Sequence, residues 1–368
     1  MTDQRAREFD AQMMDIALAM AWRGVGQTAP NPSVGAIVVD EKSGEILGRG
    51  WTQSGGRPHA EPVALEVAGV SARGATLYVT LEPCSHFGQT PPCVSAILSA
   101  GIARVVCGVT DPDPRVSGRG LDQLKQAGVE IVRNVRLDEA RWVTRGHVLR
   151  VSQRRPFVQL KLALGKDGRI ALGNAGEPVW VTSVQARAHG ALLRAQADAI
   201  LVGAGTLHDD NPDLRCRLPG LSDRSPLRVV LAGNRPVPLS AKVFETAEHV
   251  PVKVFYSDAS LMAGAHPAGV DVQLGQTVSG RLWLPAVLEA LTREGVTRLL
   301  VEGGPGMWRA FGAAGLVDEV VVYRADSLDG DITATVVGDV MHYVPNTDLK
   351  IYQARRIGDD HIIRLRPS

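Results

Sequence analysis

His59-Ala-Glu61, followed by Thr80-Leu-Glu-Pro-Cys84-Ser-His86-Phe-Gly-Gln-Thr90-Pro-Pro-Cys93, sets one imidazole and two thiols in segments that read as helix starts or the loops before them. Zinc takes this donor set. Three protein ligands, His59, Cys84 and Cys93, leave a coordination position for water, whose pKa the metal lowers toward ~7. Glu61 lies two residues from His59 and is expected to stay off the metal and carry protons. Taken singly, each residue has a plainer explanation: a buried Cys is commonly inert core, and a Glu in a first helical turn favours the helix dipole. The combination, His-x-Glu and then Pro-Cys, is what points to acid–base work at a metal.

Around this motif the chain alternates strand and helix. Apolar residues at Met13, Met14, Ala17, Leu18 and Ala21 keep a helical period over 10–22. Val34–Val39 and Glu45–Arg49, separated by Asp40-Glu-Lys-Ser-Gly44, read as a hairpin. A helix over Ala60–Ala68 tolerates Pro62 because it lies in the first turn, where no N–H is missed. Strands at Thr76–Leu81 and Arg104–Val109 flank a helix near Val94–Ala100, and the beat repeats through Leu121–Ala127 and Val129–Val132. A helical linker near Asp138–Val151 leads to Arg154-Arg155-Pro156, where the boundary is expected: a first domain over 1–150 and a second over 155–368. The second half restarts with strands at Phe157–Leu162, Ala199–Gly203, Arg228–Leu231, Val252–Tyr256 and Arg298–Glu302, and helices at Ser183–Ala195 and Pro285–Glu294. The fold class is α/β in both halves.

Composition narrows the function. A chain of 368 residues exceeds one average domain, and 45% hydrophobic with 21% charged residues suits a well-packed protein. Forty Lys and Arg against 39 Asp and Glu give +1, which offers no field for nucleic acid or an anionic membrane. A small-molecule partner is therefore expected, with a homo-oligomer as an open option. The start of the chain lacks a secretory pattern and no run reaches the ~18 apolar residues of a span, so a cytoplasmic location is the expectation. Four cysteines make no disulfide framework; Cys107, in an apolar strand, and Cys216 read as structural.

The motif set resembles the bifunctional riboflavin-biosynthesis deaminase/reductase family over nearly the full chain. The resemblance is carried by Pro30-Asn31-Pro32-Ser-Val34-Gly35, the two metal motifs, Asp111-Pro112-Asp113-Pro114 and Gly118-Arg-Gly120. Its specific part is the spacing of the cysteines: most cytidine and tRNA deaminases have two residues there, and this chain has eight. The resemblance implies a cytidine-deaminase-like three-layer domain that removes ammonia from a phosphoribosylaminopyrimidine, with Glu61 shuttling protons. It implies substrate contacts for Asn31, His86 and Asp111, whose plainer reading is turn and cap chemistry. Asp113 stands where the family usually has Asn.

Val301-Glu302-Gly303-Gly304-Pro305-Gly306 follows a strand and precedes a helical stretch over Met307–Ala314. There a phosphate could approach closely, although the pattern is not the spaced Gly-x-Gly-x-x-Gly of the dinucleotide fold. Lys161-Leu-Ala163, Asp167-Gly168-Arg169, Trp180-Val-Thr182, His189, Leu193-Arg194-Ala195 and Asp210-Asn-Pro-Asp-Leu214-Arg-Cys-Arg217 resemble, in order, the same family's reductase domain, which has a dihydrofolate-reductase-like fold. This implies hydride transfer from NADPH to C1′ of the ring-opened ribose. Cofactor positions would be Ala163, Trp180, Thr206, Asp210, Gly303, Gly304, Pro305 and Gly306. Substrate positions would be Arg194, Leu214, Arg217 and Glu302. Gly165, Lys166, Pro178 and Ala232-Gly233 depart from the family pattern, where Ser, Leu, Ser and Asp-Ser are usual.

Three other readings compete. A deaminase with a degenerate second half would release ammonia without oxidising NADPH. A nucleoside or tRNA base deaminase should bring basic clusters and stacking aromatics, yet aromatics are 5%. A non-catalytic zinc-stabilised binding protein would lack Glu61 or close the metal with a fourth ligand, for which His86 is the candidate.

Overall fold

The computed structural model describes residues 3–114, 116–170, 181–263, 266–325 and 332–367. The chain divides into two compact units, Met1–Arg155 and Pro156–Ser368.

The first unit runs α1 (Asp3–Gly24), β1 (Gly35–Asp40), β2 (Glu45–Trp51), α2 (Ala60–Ala68), β3 (Thr76–Leu81), α3 (Cys93–Ala100), β4 (Arg104–Val109), α4 (Arg119–Gln126), β5 (Glu130–Arg133), α5 (Leu137–Val143) and α6 (Arg145–Gln153). The sheet order is β2-β1-β3-β4-β5, with β1 antiparallel to β2 and β3, and β3, β4 and β5 parallel. Two glycines explain how helices cover it. A side chain on Gly35 would lie 1.9 Å from the Ala17 carbonyl of α1, and one on Gly48 would lie 2.1 Å from the Ala64 carbonyl of α2. Gly48 pairs with Val38, an odd number of residues from Gly35, so the two glycines face opposite sides of the sheet. Helix α1 thus packs on one face and α2 on the other, which makes three layers. Helix α1 starts at Asp3 rather than near residue 10, because its polar first turns follow the helix without adding to the apolar stripe. The expected linker helix is two helices meeting at Thr144, whose hydroxyl bonds the Ala140 carbonyl at 2.7 Å.

The second unit runs β6 (Phe157–Leu164), α7 (Val184–Ala195), β7 (Ala199–Gly203), α8 (Ala204–Asp210), β8 (Leu227–Gly233), α9 (Lys242–Glu245), β9 (Val252–Tyr256), β10 (Val270–Leu274), β11 (Thr277–Val278), β12 (Arg281–Leu282), α10 (Leu284–Arg293), β13 (Arg298–Val301), α11 (Pro305–Ala313), β14 (Glu319–Ala325), α12 (Ile332–Tyr343), β15 (Leu349–Ile357) and β16 (Asp360–Pro367). Nine strands form one sheet in the order β10-β9-β8-β7-β13-β6-β14-β16-β15, parallel from β10 to β14, with β16 and β15 antiparallel. The closing hairpin escapes a periodicity reading because β15 is mostly half-buried or exposed along its length. In β6, Val158, Leu160, Leu162 and Leu164 join one core, which leaves Lys161 and Ala163 on the other face. No helix among the described residues is long and apolar enough to cross a membrane.

Candidate active sites

His59 is the N-cap of α2, Glu61 lies in that helix's first turn, and Cys93 opens α3, so both metal motifs sit at helix N-termini. Cys84 follows β3 in the loop that leads to α3. The ligand atoms of His59, Cys84 and Cys93 lie within 4.8 Å of one another, with His59 Nδ1 3.3 Å from Cys93 Sγ and 3.7 Å from Cys84 Sγ. The donor set suits zinc: one imidazole nitrogen and two sulfurs, with no fourth ligand joining the group among the described residues. His86 is not part of it. Its Nδ1 is buried without a hydrogen-bond partner.

The surroundings favour a single thiolate, on Cys84. The Cys84 sulfur is pulled down to about 4 by the Cys93 thiol that bonds it, against the penalty of burial, with further help from His59 and the Cys93 backbone N–H at 3.3 Å. Cys93 shifts upward beside it, as the second thiol of a pair that resists a second negative charge. The hydrogen bond to Cys84 raises His59, while burial and the Arg57 charge oppose that rise. Glu61 is 3% exposed, and burial pushes its carboxyl up to about 7 against the pull of His59. A carboxyl near neutrality can both take and return a proton.

Of the other residues expected at this site, Asn31 donates from Nδ2 to the Gly56 carbonyl at 2.9 Å, which ties its loop to the segment before His59. Asp111 is buried, 3.0 Å from His147 Nε2, and takes the Asp113 N–H at 2.9 Å. Sequence reasoning missed Glu82. Its buried carboxylate accepts the backbone N–H groups of Asp111, Gly118, Gly120 and Leu121 and so fixes the segment that carries Asp111. The signal was an acidic residue at the end of an otherwise apolar strand.

In the second unit a cavity of about 640 Å³ opens at the C-terminal ends of β6, β7, β8 and β13. It gathers Ala163, Thr206, Asp210, Glu302 and the Gly303–Gly306 turn. Trp180 and Pro178 lie outside the described residues. Gly303 must be small, since a side chain there would lie 2.7 Å from Met307 Cβ, and nothing stands within 4 Å of the positions a Cβ would take on Gly304 and Gly306. An open glycine turn at the N-terminus of α11, within a cavity of this size, fits a phosphate-bearing dinucleotide.

Lys161 and Glu302 line the cavity, and Arg194, which is not among the lining residues, joins them through Glu302. Glu302 takes two bonds of 2.9 Å from Arg194 and one of 3.2 Å from Lys161. Burial alone would raise the Glu302 carboxyl, but Arg194 and Lys161 outweigh it and hold the group at about 2. Arg194 also donates to the Arg215 carbonyl at 3.0 Å. Arg217 is bound to Asp213 at 2.7 Å, and Leu214 is buried with a φ of +63°. Lys161 was read only as part of a motif; a lysine inside an apolar strand was the available signal. Beside it, Tyr323 and His189 are joined at 2.7 Å, and burial with Arg364 and Arg355 lowers His189 to about 4. Of the departures from the family pattern, Ala232 lines the cavity and Gly165 closes a tight turn by donating to the Arg169 carbonyl at 2.7 Å.

Comparison with known proteins finds a family match for each unit. The model for the cytidine and deoxycytidylate deaminase zinc-binding region matches residues 7–109, and that for the RibD C-terminal domain matches 156–363. The riboflavin biosynthesis protein RibD of Aquifex aeolicus is 38% identical, covering 97% of this chain and 98% of its own. That of Escherichia coli is 40% identical over 87% of this chain and 89% of its own. Among solved structures, Acinetobacter baumannii RibD superposes with a TM-score of 0.81 at 32% identity, covering 98% of this chain and 99% of that one. The Thermotoga maritima diaminohydroxyphosphoribosylaminopyrimidine deaminase/5-amino-6-(5-phosphoribosylamino)uracil reductase gives 0.81 at 32% identity, covering 99% and 100%.

Proposed function

The chain belongs to the RibD family of bifunctional riboflavin-biosynthesis deaminase/reductases, and from that premise we propose the substrate, the cofactor and the work of each residue. The first domain, 1–150, hydrolyses the C2 amine of 2,5-diamino-6-(5-phosphoribosylamino)pyrimidin-4-one; water replaces the amine, and ammonia leaves. His59, Cys84 and Cys93 would hold zinc, which would supply the Lewis acidity that makes water a nucleophile near neutral pH. Glu61 accepts a proton at its carboxylate and hands it to the departing amine. Asn31, His86 and Asp111 border the substrate, Asp111 in a position that Glu82 and His147 hold.

The second domain, 155–368, reduces the ribosyl group to ribityl. NADPH, when bound, would supply the hydride for C1′. Ala163, Thr206, Asp210 and the Gly303–Gly306 turn hold the cofactor together with Trp180, while Arg194, Leu214, Arg217 and Glu302 hold the substrate. The paired charges of Lys161, Arg194 and Glu302 are fixed before substrate arrives, so little reorganisation is left for the reaction.

The observation that carries the first activity is the His59, Cys84 and Cys93 group with buried Glu61 beside it. The test is a coupled assay of ammonia release and NADPH consumption on the pyrimidine substrate, with metal analysis of the same sample. The expected result is stoichiometric zinc and both products. Ammonia without NADPH consumption would leave the second half without its assigned role, and no ammonia from zinc-loaded protein would refute the first.

A further inference from the structure

We propose that Arg57 recognises the 5′-phosphate of the deaminase substrate and so sets the first unit's preference for phosphorylated over unphosphorylated pyrimidines. This rests on the substrate assigned above. Three segments are stitched around the metal ligands: the Asn31 side chain bonds the Gly56 carbonyl, and the next residue, Arg57, donates from Nη1 to Thr90 Oγ1 at 2.5 Å. Arg57 thereby joins the loop that ends at His59 to the loop between Cys84 and Cys93. Across residues 26–34, 53–59 and 85–92, Arg57 is the one Lys or Arg in the sequence.

Its placement suits an anion. Gly88 lets the guanidinium lie against the second loop, since a side chain there would come within 3.3 Å of Nη2. Arg57 is half-buried, so its stem is held while its head reaches the surface. One N–H is committed to Thr90, and the planar fork retains others that match phosphate oxygens in pairs. Arg57 stands two residues before His59 in the chain, near enough for its charge to act on that imidazole. Arg150 is a rival cation: it donates to the Pro30 carbonyl at 3.4 Å, beside Asn31.

The experiment measures ammonia release by the zinc-loaded full chain on the phosphorylated substrate and on the same compound after phosphatase treatment. The readout is the ratio of the two kcat/KM values. Arg57→Gln should cut that ratio by about 10- to 100-fold, mostly through KM for the phosphorylated form, and Arg57→Lys should fall between. Thr90→Val removes the loop partner but keeps the cation. It should retain most of the ratio, whereas a purely loop-tying role would make it copy Arg57→Gln. Inorganic phosphate should compete with the phosphorylated substrate in the wild type and weakly or not at all in Arg57→Gln.

An unchanged ratio in Arg57→Gln, a collapse equal in Thr90→Val, or a collapse seen in Arg150→Gln alone would overturn the proposal. If Arg57→Gln does not take up zinc, the Thr90→Val ratio and phosphate competition in the wild type decide. A wild type that deaminates neither compound overturns the assigned substrate, and this proposal with it.

Discussion

The two sites are assembled in opposite ways. The first is local: His59, Cys84 and Cys93 fall within one stretch of sequence, and helix N-termini and a single loop bring them together. The second is distributed. Lys161 on β6, Arg194 on α7 and Glu302 after β13 meet across 141 and 108 residues, and only the parallel sheet makes them neighbours. A local site depends on its metal for charge balance, because two thiols and a buried carboxyl crowd one imidazole. A distributed site pairs its one anion with two cations before any ligand binds, which neutralises Glu302 and leaves a positive charge over. The first should therefore fail all at once when a ligand is lost, and the second should fail by degrees.

The most severe break is removal of the metal. Chelation, or Cys93→Ser, should bring ammonia release to background while NADPH oxidation on the deaminated product persists; metal content and both rates in one preparation check it. Loss of both activities would mean that the second site is not independent of the first. Glu61→Gln comes next. It should retain zinc yet lose about 10²- to 10⁴-fold in deamination, the range for a missing general acid–base. Full rate with full zinc would remove Glu61 from the mechanism.

In the second unit, Glu302→Gln should cost less in rate than Glu61→Gln, about 10- to 100-fold in NADPH oxidation, but more in stability. Two cations would then lack their anion at a site where Glu302 is 8% exposed by its side chain. The pH dependence has a definite sign. Glu302 is depressed from 4.5 to about 2, so its contribution, about 3 kcal/mol at most, is fully present above pH 4.5 and erodes as the pH falls toward 2. Denaturant melts of wild type and Glu302→Gln should differ most at neutral pH and converge between pH 4.5 and 2. A gap that stays constant with pH would show that the loss comes from packing and not from the carboxylate charge.

The same contrast explains what could be read from the letters. Helices and strands followed from period and turn residues: Ala60–Ala68, Thr76–Leu81 and Ala199–Gly203 stand where alternation and helical spacing put them. The metal ligands were readable because metal chemistry restricts residue type and spacing together. Glu82 was not, since the four N–H groups that it satisfies lie 29 to 39 residues further on and nothing in its own neighbourhood announces them. Lys161 and Glu302 were visible as residues and invisible as a pair. The β15 and β16 hairpin was missed because β15 has too little buried surface to leave a clear alternation.

Arg217 gives the smallest expected effect and the finest test of the distributed site. Its side chain is 68% exposed and reaches Asp213 at 2.7 Å, a carboxylate that also holds Arg215 at 2.8 Å and has Arg228 at 3.7 Å. Burial would raise Asp213, but the bonds from Arg215 and Arg217 lower it, and Arg215 and Arg228 remain beside it after Arg217→Gln. The stability loss should stay under about 1 kcal/mol, because the Arg217 end of the pair is exposed and the buried Asp213 keeps Arg215 and Arg228. A substrate role would show elsewhere, as a KM for the deaminated substrate raised several-fold with kcat little altered, because an exposed fork helps capture the phosphate and does not touch C1′. A KM equal to wild type would make Arg217 a surface partner of Asp213 and leave phosphate capture to residues nearer Glu302. A fall in kcat at constant KM would place Arg217 closer to the reacting carbon than its exposure allows.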